Sequence, residues 1–176
     1  VEAAHFLGCH AIRVNLAGGK NRDDAAKASV DSLMRLSDFA ADSGINVLVE
    51  NHGGFSSDGS WMRTVFEQVT NNNCGTLPDF GNFCIEKSEE GCLNEYDRYQ
   101  GMIDLMPYAK AVSAKSHDFD ENGDEVNTDY YRVLKTVKDA GYTGYVGIEF
   151  EGSGVSEMKG IELTRNLLIK AGKQLS

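Results

Sequence analysis

The stretch Ile45-Asn46-Val47-Leu48-Val49-Glu50-Asn51-His52-Gly53-Gly54 limits the fold more than any other part of the chain. A short apolar run bounded by turn residues reads as a buried strand, not a helix. This run meets Glu50 and then breaks at two glycines. A carboxylate at the carboxyl end of a buried strand is costly unless it is paired or holds a metal. That end is also where folds of alternating strands and helices carry their chemistry. The same pattern returns in three later strands, which end near Asp79, His117 and Glu149.

The rest of the chain alternates around these strands. A helix end closes at Gly8, and a strand over 11–16 ends at Ala17-Gly18-Gly19. A helix from Asp23 or Asp24 to about Asp42 carries Val30, Leu33, Met34, Ser37 and Ala41 on one face. After Glu50, Ser57-Asp58-Gly59-Ser60 starts a helix with Trp61, Val65, Phe66 and Val69 in a stripe, running to about Asn71. A weaker strand spans 74–79, a polar loop runs through Glu90, and a helix covers about Glu95 to Pro107. A strand over 109–117, a helix from Thr128 or Asp129 to Ala140-Gly141, a strand over 145–151 and a helix over 156–171 complete the order.

Strict alternation implies a parallel sheet with right-handed crossovers. The fold class is therefore α/β, either an open doubly wound sheet or part of a barrel. No G-x-G-x-x-G or P-loop signature appears. The chain opens on Val1 inside a helix, which favours a (β/α)8 TIM barrel, a fold of ~250 residues. On this reading the 176 residues form one domain, 1–176, that is incomplete at its N-terminus and supplies about the C-terminal five βα units.

A net charge of −10 argues against nucleic acid and anionic membranes as partners, since both need a basic face. No run is long and apolar enough to span a bilayer. Cys9, Cys74, Cys84 and Cys92 show neither C-x-x-C nor zinc-finger spacing. They read as free thiols in a reducing, cytoplasmic compartment, although a leader could have been lost with the N-terminal part. The alternative is a small Cys84–Cys92 loop.

Side chains alternate along a strand. Asn46, Leu48 and Glu50 therefore share a face, as do Ser113, Lys115 and His117, and Gly147, Glu149 and Glu151. Each set can point into one central cavity. Three carboxylates and an imidazole (Glu50, Asp79, Glu149 and His117) suit one divalent ion: manganese, magnesium, zinc or iron. Without an ion the carboxylates repel one another and some take up protons. Each residue alone has a plainer role. Glu50 could cap a helix, Asp79 sits in an ordinary turn sequence, His117 could be merely exposed, and Glu151 rivals Glu149. Their joint occurrence on successive strands favours the site. Lys115, inside a strand, needs an anion if it is buried. His52 is placed to line a pocket mouth, and Trp61 to form its rim or the core. The run Asp118 to Asp124 mimics the start of an EF-hand loop. Its twelfth place is Asp129 and a strand precedes it, so it reads as a solvated acidic turn.

Four motifs carry a resemblance: Val-Leu-Val-Glu50-Asn-His, Leu-Pro-Asp79-Phe-Gly-Asn82-Phe, Val-Ser-Ala-Lys115-Ser-His117-Asp-Phe-Asp, and Gly141-Tyr-Thr-Gly-Tyr-Val-Gly-Ile-Glu149-Phe-Glu-Gly152. Together they resemble the xylose isomerase-like superfamily of TIM barrels, the sugar phosphate isomerase/epimerase group that also includes endonuclease IV-type (AP endonuclease family 2) enzymes. The likeness spans nearly the whole chain. It implies that Glu50, Asp79, His117 and Glu149 hold one divalent metal, with Glu50 and Glu149 as an acid/base pair. It implies a metal-dependent isomerase or epimerase of a sugar or sugar phosphate, moving a proton next to a carbonyl through an enediolate. Lys115 would stabilise the developing oxyanion. Asn82 stands where relatives often place a substrate-contacting histidine, and His52, Trp61 and Glu151 would join it around a small carbohydrate. Ser113 stands where many relatives carry a ligand histidine. Two other readings are a non-catalytic, degenerate sugar-binding barrel and an endonuclease IV-like hydrolase. The latter needs more histidines and a basic surface. A dehydratase within the same superfamily and a homo-oligomer stay open.

Overall fold

The computed structural model describes residues 1–17, 19 and 21–175. In chain order the elements are α1 (Glu2–Phe6), β1 (Ala11–Val14), α2 (Arg22–Ala41), β2 (Asn46–Glu50), a 3-10 turn (Gly54–Ser57), α3 (Gly59–Phe66) and β3 (Cys74–Leu77). Then come β4 (Cys84–Ser88), β5 (Gly91–Glu95), α4 (Arg98–Leu105), a second 3-10 turn (Met106–Tyr108), β6 (Val112–Ser116), α5 (Tyr130–Asp139), β7 (Val146–Phe150) and α6 (Glu157–Gln174). The expected strand end at Ala17-Gly18-Gly19 includes Gly18, which lies outside the described residues.

β1, β2 and β3 pair in parallel, and so do β6 and β7. Parallel bridges Thr76↔Ala109 and Asp79↔Ser113 continue the arc from β3 to β6. The order β1-β2-β3-β6-β7 is what strict alternation demands, with the crossover helices packed on one face. Val47 and Val49 of β2 are fully buried in a cluster with Leu33 and Ala40 of α2 and Val65 and Phe66 of α3. The opposite parity of the strands is left to face inward. Side-chain caps fix the helix starts: Asn21 accepts from the N–H groups of Asp23 and Asp24, Asp58 from Trp61, Asp97 from Gln100 and Asp129 from Tyr131 and Arg132.

Three expectations change. The polar loop through Glu90 is the antiparallel hairpin β4–β5, turning at Gly91 with φ +129°. Its strands are mostly exposed, so no period-two apolar pattern marks them. Cys84 and Cys92 are joined by a disulfide across that hairpin, and only Cys9 and Cys74 are free. The bond withdraws the cysteine argument for a reducing compartment, because such links persist in oxidising surroundings. In α2 the core-facing residue is Ala40, fully buried, and Ala41 is exposed. In the acidic turn, Lys170 Nζ lies 2.8 Å from Asp124 Oδ1. No helix of the described residues is long and apolar enough to cross a membrane.

Candidate metal centre

The inward parity of the arc brings three carboxylates together. Glu50 closes β2 and is 3% exposed, Asp79 follows β3 and is fully buried, and Glu149 sits in β7 opposite Lys115 of β6. Each offers an oxygen within 4.8 Å of the others. Their remaining contacts are specific. Glu50 Oε1 accepts from Asn82 Nδ2 at 3.1 Å, and Oε2 meets Arg13 Nε at 2.6 Å. Asp79 Oδ1 accepts from the backbone N–H groups of Gly81 and Asn82, both at 2.9 Å. Asp79 Oδ2 is buried and has no hydrogen-bond partner. Glu149 Oε1 lies 2.9 Å from Lys115 Nζ, and Oε2 accepts from Ser113 Oγ at 2.9 Å.

A buried carboxylate oxygen without a partner carries the full penalty of desolvation. Here it sits with two further carboxylates, at a spacing that one oxygen-liking divalent ion can bridge. The residues present therefore fit such an ion, with Glu50, Asp79 and Glu149 as its donors.

The electrostatics divide the three acids. Burial pushes Glu50 up, partly opposed by Arg13 and reinforced by Glu149. Burial drives Asp79 furthest, to about 7, against the nearby Ser113 hydroxyl, whose proton goes to Glu149, and the bond Asp79 accepts from the Gly81 amide. Burial also acts on Glu149, but the bonds from Lys115 and Ser113 outweigh it and hold that carboxyl below its ordinary range. Lys115 is raised, since its bonds to Glu151 and Glu149 overcome the penalty of burial. The cluster thus sets a Glu149 held toward its ionised form beside an Asp79 that takes up a proton far more readily than an ordinary aspartate.

Lys115 is 3% exposed and also reaches Glu151 Oε2 at 2.8 Å, so Glu151 joins the site through it. Gly81 keeps room for the lysine stem, because a Cβ there would lie 3.1 Å from Lys115 Cδ. Asn82 touches Glu50, as stated. His52 and Trp61 line a separate cavity of about 980 Å3, whose walls include none of Glu50, Asp79 and Glu149. Trp61 Nε1 donates to the Arg22 carbonyl, and its ring stands 5.7 Å from Phe55.

The structure does not bring His117 into the carboxylate group. Its residue shares the parity of Ser113 and Lys115 but lies past the end of β6. Its amide donates to Glu125 Oε1 at 3.2 Å, its imidazole is 3.9 Å from Glu151 Oε2, and its side chain is 40% exposed. Ser113 occupies the layer of Asp79, to which its backbone bridges.

Sequence reasoning missed two residues of the site. Arg13 pairs in register with Leu48, so it faces inward like Glu50; a charged residue inside a short apolar strand was the available signal. Asn51 is fully buried. Its Nδ2 donates to the carbonyls of Asp79 and Asn82 at 3.0 and 3.1 Å, and its Oδ1 accepts from the Asp79 amide at 2.7 Å. It ties the end of β2 to the turn that presents Asp79, a role visible only once the strands are assembled.

A family model described as xylose isomerase-like TIM barrel matches residues 1–171. The α subunit of a C-glycoside deglycosidase from Arthrobacter globiformis is 38% identical over 56 residues, 32% of this chain and 16% of that protein. A solved structure of the IOLI protein with a binding zinc atom superposes with a TM-score of 0.71 at 16% identity, over 97% of this chain and 65% of that one. The 3-keto-D-glucoside 4-epimerase YcjR from E. coli gives 0.69 at 17% identity, over 96% of this chain and 67% of that one. The chain thus spans about two thirds of these solved barrels and a smaller part of the curated relative.

Proposed function

Since this chain belongs to the xylose isomerase-like TIM-barrel family, we propose that it is a divalent-metal-dependent isomerase or epimerase that moves a proton next to the carbonyl of a sugar. The observation that carries this reading is the group of Glu50, Asp79 and Glu149 around the unpartnered, buried Oδ2 of Asp79. An all-oxygen donor set favours magnesium or manganese over softer ions. When bound, the ion polarises the substrate carbonyl as a Lewis acid.

The chain's own residues divide the proton work. Glu149, held ionised by Lys115 and Ser113, is poised to take a proton. Glu50, whose burial favours the neutral form, is poised to return one. Lys115 is placed to stabilise the oxygen that gathers negative charge. Asn82 and Asn51 orient Glu50 and Asp79. His52, Trp61 and Glu151 border the space that the carbohydrate would fill. A second reading is favoured by the deglycosidase relative. The same proton removal can be followed by loss of a leaving group beside the carbonyl instead of reprotonation.

Solvent exchange tests this directly. In D2O with magnesium or manganese, a ketose incubated with the protein should gain deuterium at the carbon beside its carbonyl, read by NMR. Glu149→Gln should abolish the gain. Metal binding with no exchange on any of a panel of free ketoses and keto-glycosides would leave a binding barrel instead.

A further inference from the structure

Arg13 and Lys115 both touch the carboxylate cluster, and they are held differently. Lys115 Nζ is a point charge on a side chain 3% exposed, shared between Glu149 Oε1 at 2.9 Å and Glu151 Oε2 at 2.8 Å. Arg13 comes from β1, the outer strand of the sheet β1-β2-β3, and its side chain is 42% exposed. It pairs in register with Leu48, so its side chain has the parity that Glu50 has on β2. Its Nε lies 2.6 Å from Glu50 Oε2, and its Nη2 donates to Asn15 Oδ1 at 2.8 Å.

A guanidinium is planar and carries its donors in a fixed fork. Held at Nε by a carboxylate and at Nη2 by an amide oxygen, that of Arg13 has little freedom to turn. It fixes Glu50 in its turn. The last torsion of a glutamate is soft, so its carboxylate plane is set by what it touches. The ion-paired contact of 2.6 Å at Oε2 is the stronger hold, and the neutral amide of Asn82 meets Oε1 at 3.1 Å. The Asn82 backbone amide also donates to Asp79 Oδ1 at 2.9 Å, which ties the Oε1 contact to the second carboxylate of the cluster. In a proton transfer, a misplacement of about 1 Å lowers the rate about 100-fold.

We propose that Arg13 is a positioning residue of the proton-transfer step: pinned between Asn15 and Glu50, it fixes the carboxylate plane of Glu50 and raises the rate of proton return without adding to metal or substrate affinity. The inference rests on the metal-dependent reading above and deepens it. A cation beside a metal donor acts in two opposed ways. As a charge, Arg13 competes with the ion for Glu50, so its removal favours metal binding. As a fork, it orients the carboxylate, so its removal slows the step. Damage to the fold would weaken both.

Arg13→Met and Arg13→Lys, each in the full chain, test this against wild type. Manganese affinity by calorimetry comes first and certifies the fold. It should equal or exceed that of wild type in Arg13→Met and stay within about twofold of it in Arg13→Lys. Product formation from the panel of free ketoses and keto-glycosides is then followed in D2O by NMR. In Arg13→Met, kcat should fall about 10- to 100-fold with KM within about twofold, the split that marks an interaction used in the transition state. Arg13→Lys should recover less than about a third of the rate, because a point charge reaches Glu50 without being held at Asn15. Weaker manganese binding in Arg13→Met would overturn the inference, and so would a wild-type rate in that variant or full recovery with lysine. No product from wild type would overturn it together with the reading it rests on, and manganese still bound would then leave the metal centre standing.

Discussion

Replacing Lys115 with methionine removes a positive charge and keeps the stem that packs over Gly81. The lost contacts are two charge-assisted hydrogen bonds, to Glu149 at 2.9 Å and Glu151 at 2.8 Å. Fully shielded, each would contribute about 1.5–3 kcal/mol. The partners are 36% and 51% exposed in their side chains, so water recovers much of that. A net loss of about 2–3 kcal/mol results, with the Glu151 bond at the low end. In a chain of this size that is a fall in melting temperature of roughly 5–10 °C. The loss also leaves Glu50, Asp79 and Glu149 with less compensation, and a bound divalent ion supplies what the lysine no longer does. Thermal unfolding followed by circular dichroism, once in EDTA and once in saturating manganese, separates the two effects. The gap between wild type and Lys115→Met should be full in EDTA and at most half in manganese. An equal gap under both conditions would refute the claim that lysine and metal compensate the same carboxylates.

Asp79 has a pH signature. Its folded pKa, pushed up to about 7 by burial, exceeds the ordinary value of 3.8. Between these values the folded chain holds a proton that the unfolded chain has lost, so metal-free stability falls as pH rises across that window. Proton and ion compete for the same carboxylate, so metal affinity should weaken as pH drops below about 7 in calorimetric titrations. Asp79→Asn should melt higher than metal-free wild type at pH 8, with its amide nitrogen in the place of the unpartnered Oδ2, and should bind no metal. Asn51→Leu removes three buried bonds and strands the Asp79 amide and carbonyl, a loss of about 2–4 kcal/mol in urea unfolding. Cys84 and Cys92 close a loop of sequence separation 8, whose opening loses about 2–3 kcal/mol by chain entropy. Ile85 and Glu86 of the same hairpin line the cavity, so Cys84→Ser/Cys92→Ser should weaken sugar binding and leave metal affinity within about twofold.

The parallel arc was legible because buried strands advertise themselves by short apolar runs, and because glycines and acidic caps punctuate them. Glu50, Asp79 and Glu149 were legible for the same reason: a carboxylate at the end of such a run has few inexpensive explanations. The hairpin β4–β5 was not, since a ribbon exposed on both faces needs no apolar period and is fixed instead by a disulfide and a turn glycine. His117 shows the limit of period-two reasoning. Parity gives the face of a residue but not whether the strand still continues there, and β6 stops at Ser116. Arg13 and Asn51 act across strands, on Glu50 and on the turn after β3, and one strand's own sequence does not encode its neighbours' register.

The central claim is that Glu50, Asp79 and Glu149 hold one divalent ion. Metal content after dialysis, with magnesium and manganese affinities by calorimetry, tests it most directly on wild type beside Asp79→Asn and His117→Ala. One ion per chain in wild type and in His117→Ala, lost in Asp79→Asn, is the result predicted. No ion in wild type, or an ion that survives Asp79→Asn and leaves with His117→Ala, would contradict the site described.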